Sequence, residues 1–213
     1  MIEIYGLDMD ELDECMTTEA FALEYFSDYR REKIVCCKNE KAKRQSIAAG
    51  YLLDCVLSRH GMREKSAVFH TNTDGKRLLD GADINLSHSG HYVLCAYGTA
   101  PVGIDVERIR QDNEKVAKRF FAAREYEWLM AQKDHAEAFA RLWTLKESYV
   151  KKIGTGLRTP LDQFEIRMQP QIGVWKAGGK TREDCCFREY RREDYCIAVC
   201  AGEGAFPEEI TFL

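Results

Sequence analysis

Asp105 and Glu107 stand two residues apart in the run Val102-Gly103-Ile104-Asp105-Val106-Glu107. In a strand, side chains alternate between faces, so both carboxylates point one way while Ile104 and Val106 point the other. Two like charges side by side repel, and a buried pair of this kind usually has a cation between them. A solvated outer face on an edge strand gives the same pattern. Forty residues separate Glu107 from Glu147, which sits in the helical run Leu142-Trp143-Thr144-Leu145-Lys146-Glu147-Ser148-Tyr149-Val150-Lys151-Lys152-Ile153. Phe139, Leu142, Lys146, Val150 and Ile153 share one stripe, and Trp143, Glu147 and Lys151 form the next row. Lys146 thus lies where an apolar residue is expected. Glu147 and Lys151 also suit a surface ion pair worth about 0.3–0.5 kcal/mol, but such a pair explains neither Lys146 nor the glycine-rich stop at Gly154-Thr155-Gly156. Taken together, Asp105, Glu107, Glu147 and Lys151 suit Mg²⁺ holding an anionic phosphate. Magnesium takes hard oxygen ligands, keeps waters and shares its shell with substrate phosphate. The lysine can balance charge on the phosphate or on a leaving group.

The elements that must position these residues follow from periodicity and turn chemistry. Ile2 to Leu7 alternates as a strand. Asn39 caps a helix running to about Arg59, with Gly61 as its stop. Turn-rich stretches at 71–76 and 80–83 follow. Tyr92 to Tyr97 and Val102 to Val106 are expected as strands, joined through Gly98-Thr99-Ala100-Pro101 as a hairpin. Asp112 or Asn113 caps the next helix, Arg124 to Gln132 is helical again, and a third helix runs from about Ala136 to Ile153. Strands return at Gln163 to Met168, Cys185 to Tyr190, Tyr195 to Ala201 and briefly at Ile210. Clustered strands and helices, without strict alternation, indicate an α+β fold. Tyr92-Val93-Leu94-Cys95-Ala96 and Tyr195-Cys196-Ile197-Ala198-Val199 echo one another, as two ordinary buried strands or as a trace of duplication.

Composition narrows the function classes. The chain of 213 residues has a formal net charge of −4, which gives no global positive field for nucleic acid. It holds no apolar run of membrane-spanning length, and its N-terminus carries acids where a secretory signal needs basic residues. Its nine cysteines are odd in number and form no CxxC, so reduced, mostly packing thiols in a cytoplasmic protein are expected in place of zinc ligands or disulfides.

The runs Val102 to Glu107 and Trp143 to Lys151 resemble the two signature motifs of the 4′-phosphopantetheinyl transferases. Asn85-Leu86-Ser87-His88-Ser89-Gly90 is similar to a third motif, found in the longer, Sfp-type members. The resemblance implies two similar α/β lobes related by a pseudo-twofold axis, with coenzyme A and Mg²⁺ in the cleft between them. The lobes are expected at 1–100 and 101–213, acting as one unit without a linker. It further implies that Asp105, Glu107 and Glu147 are metal ligands, that Lys151 contacts the reacting phosphate, and that Ser87 and His88 contact coenzyme A phosphates. Gly75 and Lys76 are placed by the nucleotide, and Glu125 matches a glutamate that takes the proton of a carrier serine. Between Arg30 and Arg44 lie seven basic residues and two acidic ones. This is either a solvated helix face or, by the resemblance, a 3′-phosphate site using Arg30, Lys33 and Arg44. The implied reaction moves phosphopantetheine from coenzyme A to a serine of an acyl or peptidyl carrier protein, catalysed by a monomer and releasing 3′,5′-ADP. A metal-dependent nuclease and a non-catalytic coenzyme A or carrier-binding module are the rival readings. The first would need a basic groove or a base-stacking surface.

Overall fold

The computed structural model describes residues 1–111, 113–176, 181–202 and 205–213. Asp112, one of the two expected caps, lies outside the described residues. The first half comprises β1 (Ile2–Asp8), α1 (Glu19–Tyr25), α2 (Asp28–Val35), α3 (Glu40–Arg59), β2 (Phe69–Thr71), β3 (Arg77–Leu79), β4 (Asp83–Ser89) and β5 (Tyr92–Gly98). The second comprises β6 (Val102–Arg108), α4 (Glu114–Phe120), α5 (Ala123–Met130), α6 (His135–Ile153), β7 (Phe164–Arg167), β8 (Gly173–Lys176), β9 (Cys186–Arg192), β10 (Tyr195–Ala201) and β11 (Thr211–Phe212).

The long helices begin where capping chemistry directs. The Asn39 side chain accepts from the Ala42 amide at 2.8 Å to open α3, and Asp134 accepts from Glu137 at 2.9 Å to open α6. Gly154, at φ +73°, ends α6 in the left-handed region that glycine adopts without steric cost. One sheet has the order β11-β1-β5-β4 and a second the order β6-β10-β9. The apolar residues of α3 cover one face of the first sheet, through Tyr5, Leu7, Val93 and Cys95. Alternate residues of the same strands, Ile2, Ile4, Tyr92, Leu94 and Ala96, meet Val102, Ile104, Val106, Ile197 and Val199 of the second sheet. Helix α6 covers that sheet's far side with Leu142, Leu145, Tyr149 and Val150 against Ala198 and Cys200. The fold is therefore α+β, in layers of helix, sheet, sheet and helix. The two echoed sequences form β5 and β10, and each lies inside its own sheet, which is why both are apolar on both faces. All nine cysteines are unpaired, and among the described residues no helix is long and apolar enough to cross a membrane.

The expected hairpin between Tyr92–Tyr97 and Val102–Val106 does not form. β5 pairs with β1 and β4, whereas β6 pairs with β10, so the Gly98–Pro101 turn passes the chain from one sheet to the other. No backbone ladder joins the facing edges β4 and β6; side chains do. Asp83 Oδ2 accepts from the Val102 amide at 2.9 Å and Asn85 Oδ1 from Ile104 at 2.9 Å. Ser87 Oγ then accepts from Val106 at 3.4 Å and Ser89 Oγ from Arg108 at 3.2 Å. Every second residue of β4 thus satisfies every second amide of β6.

Helix α6 crosses β6 at Gly103, where a β-carbon would fall onto the Ser148 carbonyl and the Lys152 amide. Both obstacles are backbone, so neither can swing aside. Gly103→Ala is expected to destabilise the protein by about 3 kcal/mol, read as a lowered midpoint in denaturant; an unchanged midpoint would show that α6 does not need this close approach.

Candidate active site

The crossing at Gly103 brings the second row of α6 over the carboxylate face of β6. Lys151 Nζ donates to Asp105 Oδ1 at 2.7 Å, to Ser87 Oγ at 3.0 Å and to the Ile104 carbonyl at 3.1 Å. Ser87 Oγ donates to the same Asp105 oxygen at 2.8 Å. One rung along, Ser89 Oγ donates to Glu107 Oε2 at 3.0 Å. Asp105, Glu107 and Lys151 thus lie where β4, β6 and α6 meet, and the Asp105 charge also reaches Glu147, one helical turn from Lys151. Burial first, and the Asp105 charge second, pushes both Glu107 and Glu147 above the usual carboxylate range.

The donor set fits a hard cation in one respect and leaves a requirement in another. Asp105 Oδ2 is buried without a hydrogen-bond partner, and the Asp105 charge repels both Glu107 and Glu147, which a cation would relieve. Among the described residues, however, no three His, Cys, Asp or Glu side chains stand close enough to hold a metal alone. Asp105, Glu107 and Glu147 do not form a closed cage, so a cation held here would need further ligands from elsewhere.

Two cavities flank this junction. One, of about 620 Å³, is bounded by Glu147 and Lys151 together with Arg119, Phe120, Trp143, Val150, Pro160 and Leu161. The other, of about 380 Å³, is lined by Arg30, Lys33, Gly75, Lys76, Arg77 and His88, with Tyr29, Ser46 and Asn85. Lys33 has no carboxylate partner among the described residues, and burial, then the neighbouring Arg30 charge, holds it below its usual range. Arg30 is 4% exposed and reaches Glu64 at only 3.8 Å. Burial, then Lys151, likewise pushes the His88 imidazole down. An electropositive hollow of this kind suits a phosphate.

Several residues stand differently from expectation. Arg44 does not line this hollow. Its guanidinium donates to the Met9 carbonyl at 3.1 Å, because the face of α3 toward the hollow carries Ala42, Ser46 and Ala49. Lys76 borders the hollow, but its ammonium is held by Asp83 at 2.5 Å and by the carbonyls of Val102 and Lys152. Ser87 is occupied within the protein: one donated and two accepted hydrogen bonds use its hydroxyl's full capacity.

Glu125 is the largest correction. Its side chain is fully buried, and its two oxygens accept from Lys146 Nζ at 2.6 and 2.7 Å, from the Ile166 amide at 2.6 Å and from the Ala122 amide at 2.8 Å. A carboxylate so enclosed cannot receive a proton from a docking serine. It is instead the reason for Lys146 on the apolar stripe of α6, where that ammonium also donates to the Phe164 carbonyl at 2.9 Å. Burial pushes Glu125 up and Lys146 down, and their mutual attraction opposes both shifts. Arg77 was missed by sequence reasoning. Its guanidinium stacks on Tyr29 at 4.0 Å and Phe69 at 3.9 Å, and a lone arginine in a short strand carries no signal of its own.

Comparison with known proteins is consistent in kind. The family model described as the 4′-phosphopantetheinyl transferase superfamily matches residues 101–200. The chain is 33% identical to 4′-phosphopantetheinyl transferase Sfp of Bacillus subtilis, over 100% of this chain and 97% of that one. It is 41% identical to 4′-phosphopantetheinyl transferase gsp of Aneurinibacillus migulanus over 54% of this chain and 51% of that protein. Among solved structures, Helicobacter pylori holo-[acyl-carrier-protein] synthase in complex with coenzyme A matches 47% of this chain and 97% of its own, at 17% identity and a TM-score of 0.38.

Two outcomes follow from the burial of these acids. Glu125→Gln leaves Lys146 without its counter-charge and is expected to cost about 3–5 kcal/mol in denaturant unfolding; full stability with lost turnover would restore Glu125 as a base. Glu147, whose folded pKa is raised, stabilises the fold only below its unfolded value of about 4.3 and loses that contribution as pH rises through the folded value. Glu147→Gln should therefore raise the melting temperature of the metal-free protein at neutral pH, the gain vanishing toward about pH 4. A gain independent of pH would contradict the assigned cause.

Proposed function

This chain belongs to the 4′-phosphopantetheinyl transferase superfamily, and from that membership we infer how its own residues transfer phosphopantetheine from coenzyme A to a carrier protein. The observation that carries the reading is the meeting of Asp105, Lys151 and Ser87 between an electropositive hollow and an apolar cavity.

The adenosine end of coenzyme A enters the hollow, where Arg30, Lys33, Arg77 and His88 receive its 3′-phosphate. The pyrophosphate then lies over the carboxylate face of β6. Asp105, Glu107 and Glu147 are the residues that would hold Mg²⁺, with substrate and water completing its shell. When bound, the ion supplies charge neutralisation and Lewis acidity at the pyrophosphate. Lys151, beside Asp105, offers its ammonium to the bridging oxygen on which charge grows as 3′,5′-ADP departs. The apolar cavity gives the pantetheine arm and the incoming carrier a wall that excludes water. The carrier serine oxygen bonds to the β-phosphorus while the bond from that phosphorus to the bridging oxygen breaks. Glu147, lining this cavity, is better placed than the enclosed Glu125 to take the serine proton. The lobes 1–100 and 101–213 act as one unit, since the first supplies the hollow and the second the acids and Lys151.

Incubation with coenzyme A, Mg²⁺ and an apo-carrier protein should add the mass of one phosphopantetheine to the carrier, and omission of Mg²⁺ should abolish the gain. An unmodified carrier would leave only a binding module. If the hollow takes the 3′-phosphate, dephospho-coenzyme A should bind about tenfold to a hundredfold more weakly by calorimetry, the worth of a charge-assisted hydrogen bond. Equal affinities would remove the hollow from the site.

A further inference from the structure

We propose that Ser87 and Ser89 are positioning residues whose hydroxyls fix the orientation of the carboxylates of Asp105 and Glu107 on the α6 side of β6. The inference rests on the reading that these acids hold a divalent cation. The same two hydroxyls do two things at once. Each accepts from a β6 amide, Val106 or Arg108, which fixes where the oxygen stands. Each then donates to the carboxylate one residue before that amide, Asp105 at 2.8 Å and Glu107 at 3.0 Å. The acid is therefore tied to the backbone of its own strand through a side chain of the facing one. At Asp105 the tie takes Oδ1, shared with Lys151, and leaves Oδ2 buried and without a partner. Without the Ser87 hydroxyl, Lys151 alone would hold this carboxylate. It could then rotate about that ammonium, whose compact charge sets no single carboxylate orientation, and the free oxygen would lose its fixed place. The two upper rungs of the seam, Asp83 and Asn85, bridge to β6 amides but touch neither acid. The positioning role is thus confined to the two serines, and outer-shell hydrogen bonds of this kind commonly tune metal affinity.

Mn²⁺ titrated by calorimetry into the nucleotide-free full chain reads the effect without turnover. Ser87→Ala is expected to weaken Mn²⁺ binding about tenfold to a hundredfold, with Ser87→Thr, which keeps the hydroxyl, recovering most of the loss. Asn85→Ala removes a rung of the same seam and should lower the melting temperature while leaving Mn²⁺ affinity unchanged. Ser89→Ala, acting on Glu107, provides the same test if Ser87→Ala does not fold. Wild-type affinity in both serine-to-alanine variants, or equal weakening in Asn85→Ala, would overturn the positioning role and leave the cation site standing. Absence of Mn²⁺ binding in the wild type, both alone and with coenzyme A present, would overturn both.

Discussion

Everything at the candidate site depends on how the edge amides of β6 are satisfied. A buried backbone amide without an acceptor is costly, and two sheets that meet at an edge cannot both continue their ladders. Here the amides of Val102, Ile104, Val106 and Arg108 find acceptors in the side chains of Asp83, Asn85, Ser87 and Ser89. Because both strands have a two-residue period, the match persists along the whole edge. The seam fixes β6 against the first sheet, so the acids on its α6 side inherit a fixed place relative to the hollow that β4 borders.

Two further constraints set the second wall. Gly103 lets the backbone of α6 touch β6, which brings Lys151 to within a hydrogen bond of Asp105. Glu125 and Lys146 tie α6 to the start of α5 and to β7 through the amides of Ala122 and Ile166 and the carbonyl of Phe164. Glu147, the next residue after Lys146, therefore projects from a helix that is pinned along the adjacent row. A buried ion pair of this kind contributes little net stability, but losing one partner is severe, so it acts to fix one arrangement of α6. The apolar cavity bounded by Trp143 and Phe120 opens beside this pinned helix, giving Glu147 and Lys151 an apolar wall.

How much of this was legible depends on whether the signal was local. The alternation around Asp105 and Glu107 and the stripe of α6 are set by nearest neighbours, and both elements formed as the pattern required. Lys146 on that stripe was a visible anomaly, yet its explanation, Glu125, lies 21 residues away and only packing joins them. β4 escaped notice as a strand because its polar face meets another strand's amides where water would be expected. Gly98–Pro101 announced a turn correctly, but turn chemistry cannot say which sheet receives the next strand. Arg44 was misplaced although the helical period held the answer: Ala42, Ser46 and Ala49 share the face toward the hollow, and Arg44 lies off it.

The most direct test is the geometry of the loaded site. Anomalous diffraction from a crystal grown with coenzyme A and Mn²⁺ would locate the cation and resolve the Ser87 hydroxyl. The account predicts a peak coordinated by Asp105 Oδ2 and by a pyrophosphate oxygen, with Ser87 Oγ still donating to Asp105 Oδ1. A cation bound away from Asp105, or Ser87 turned from Asp105 onto a phosphate of coenzyme A, would contradict it.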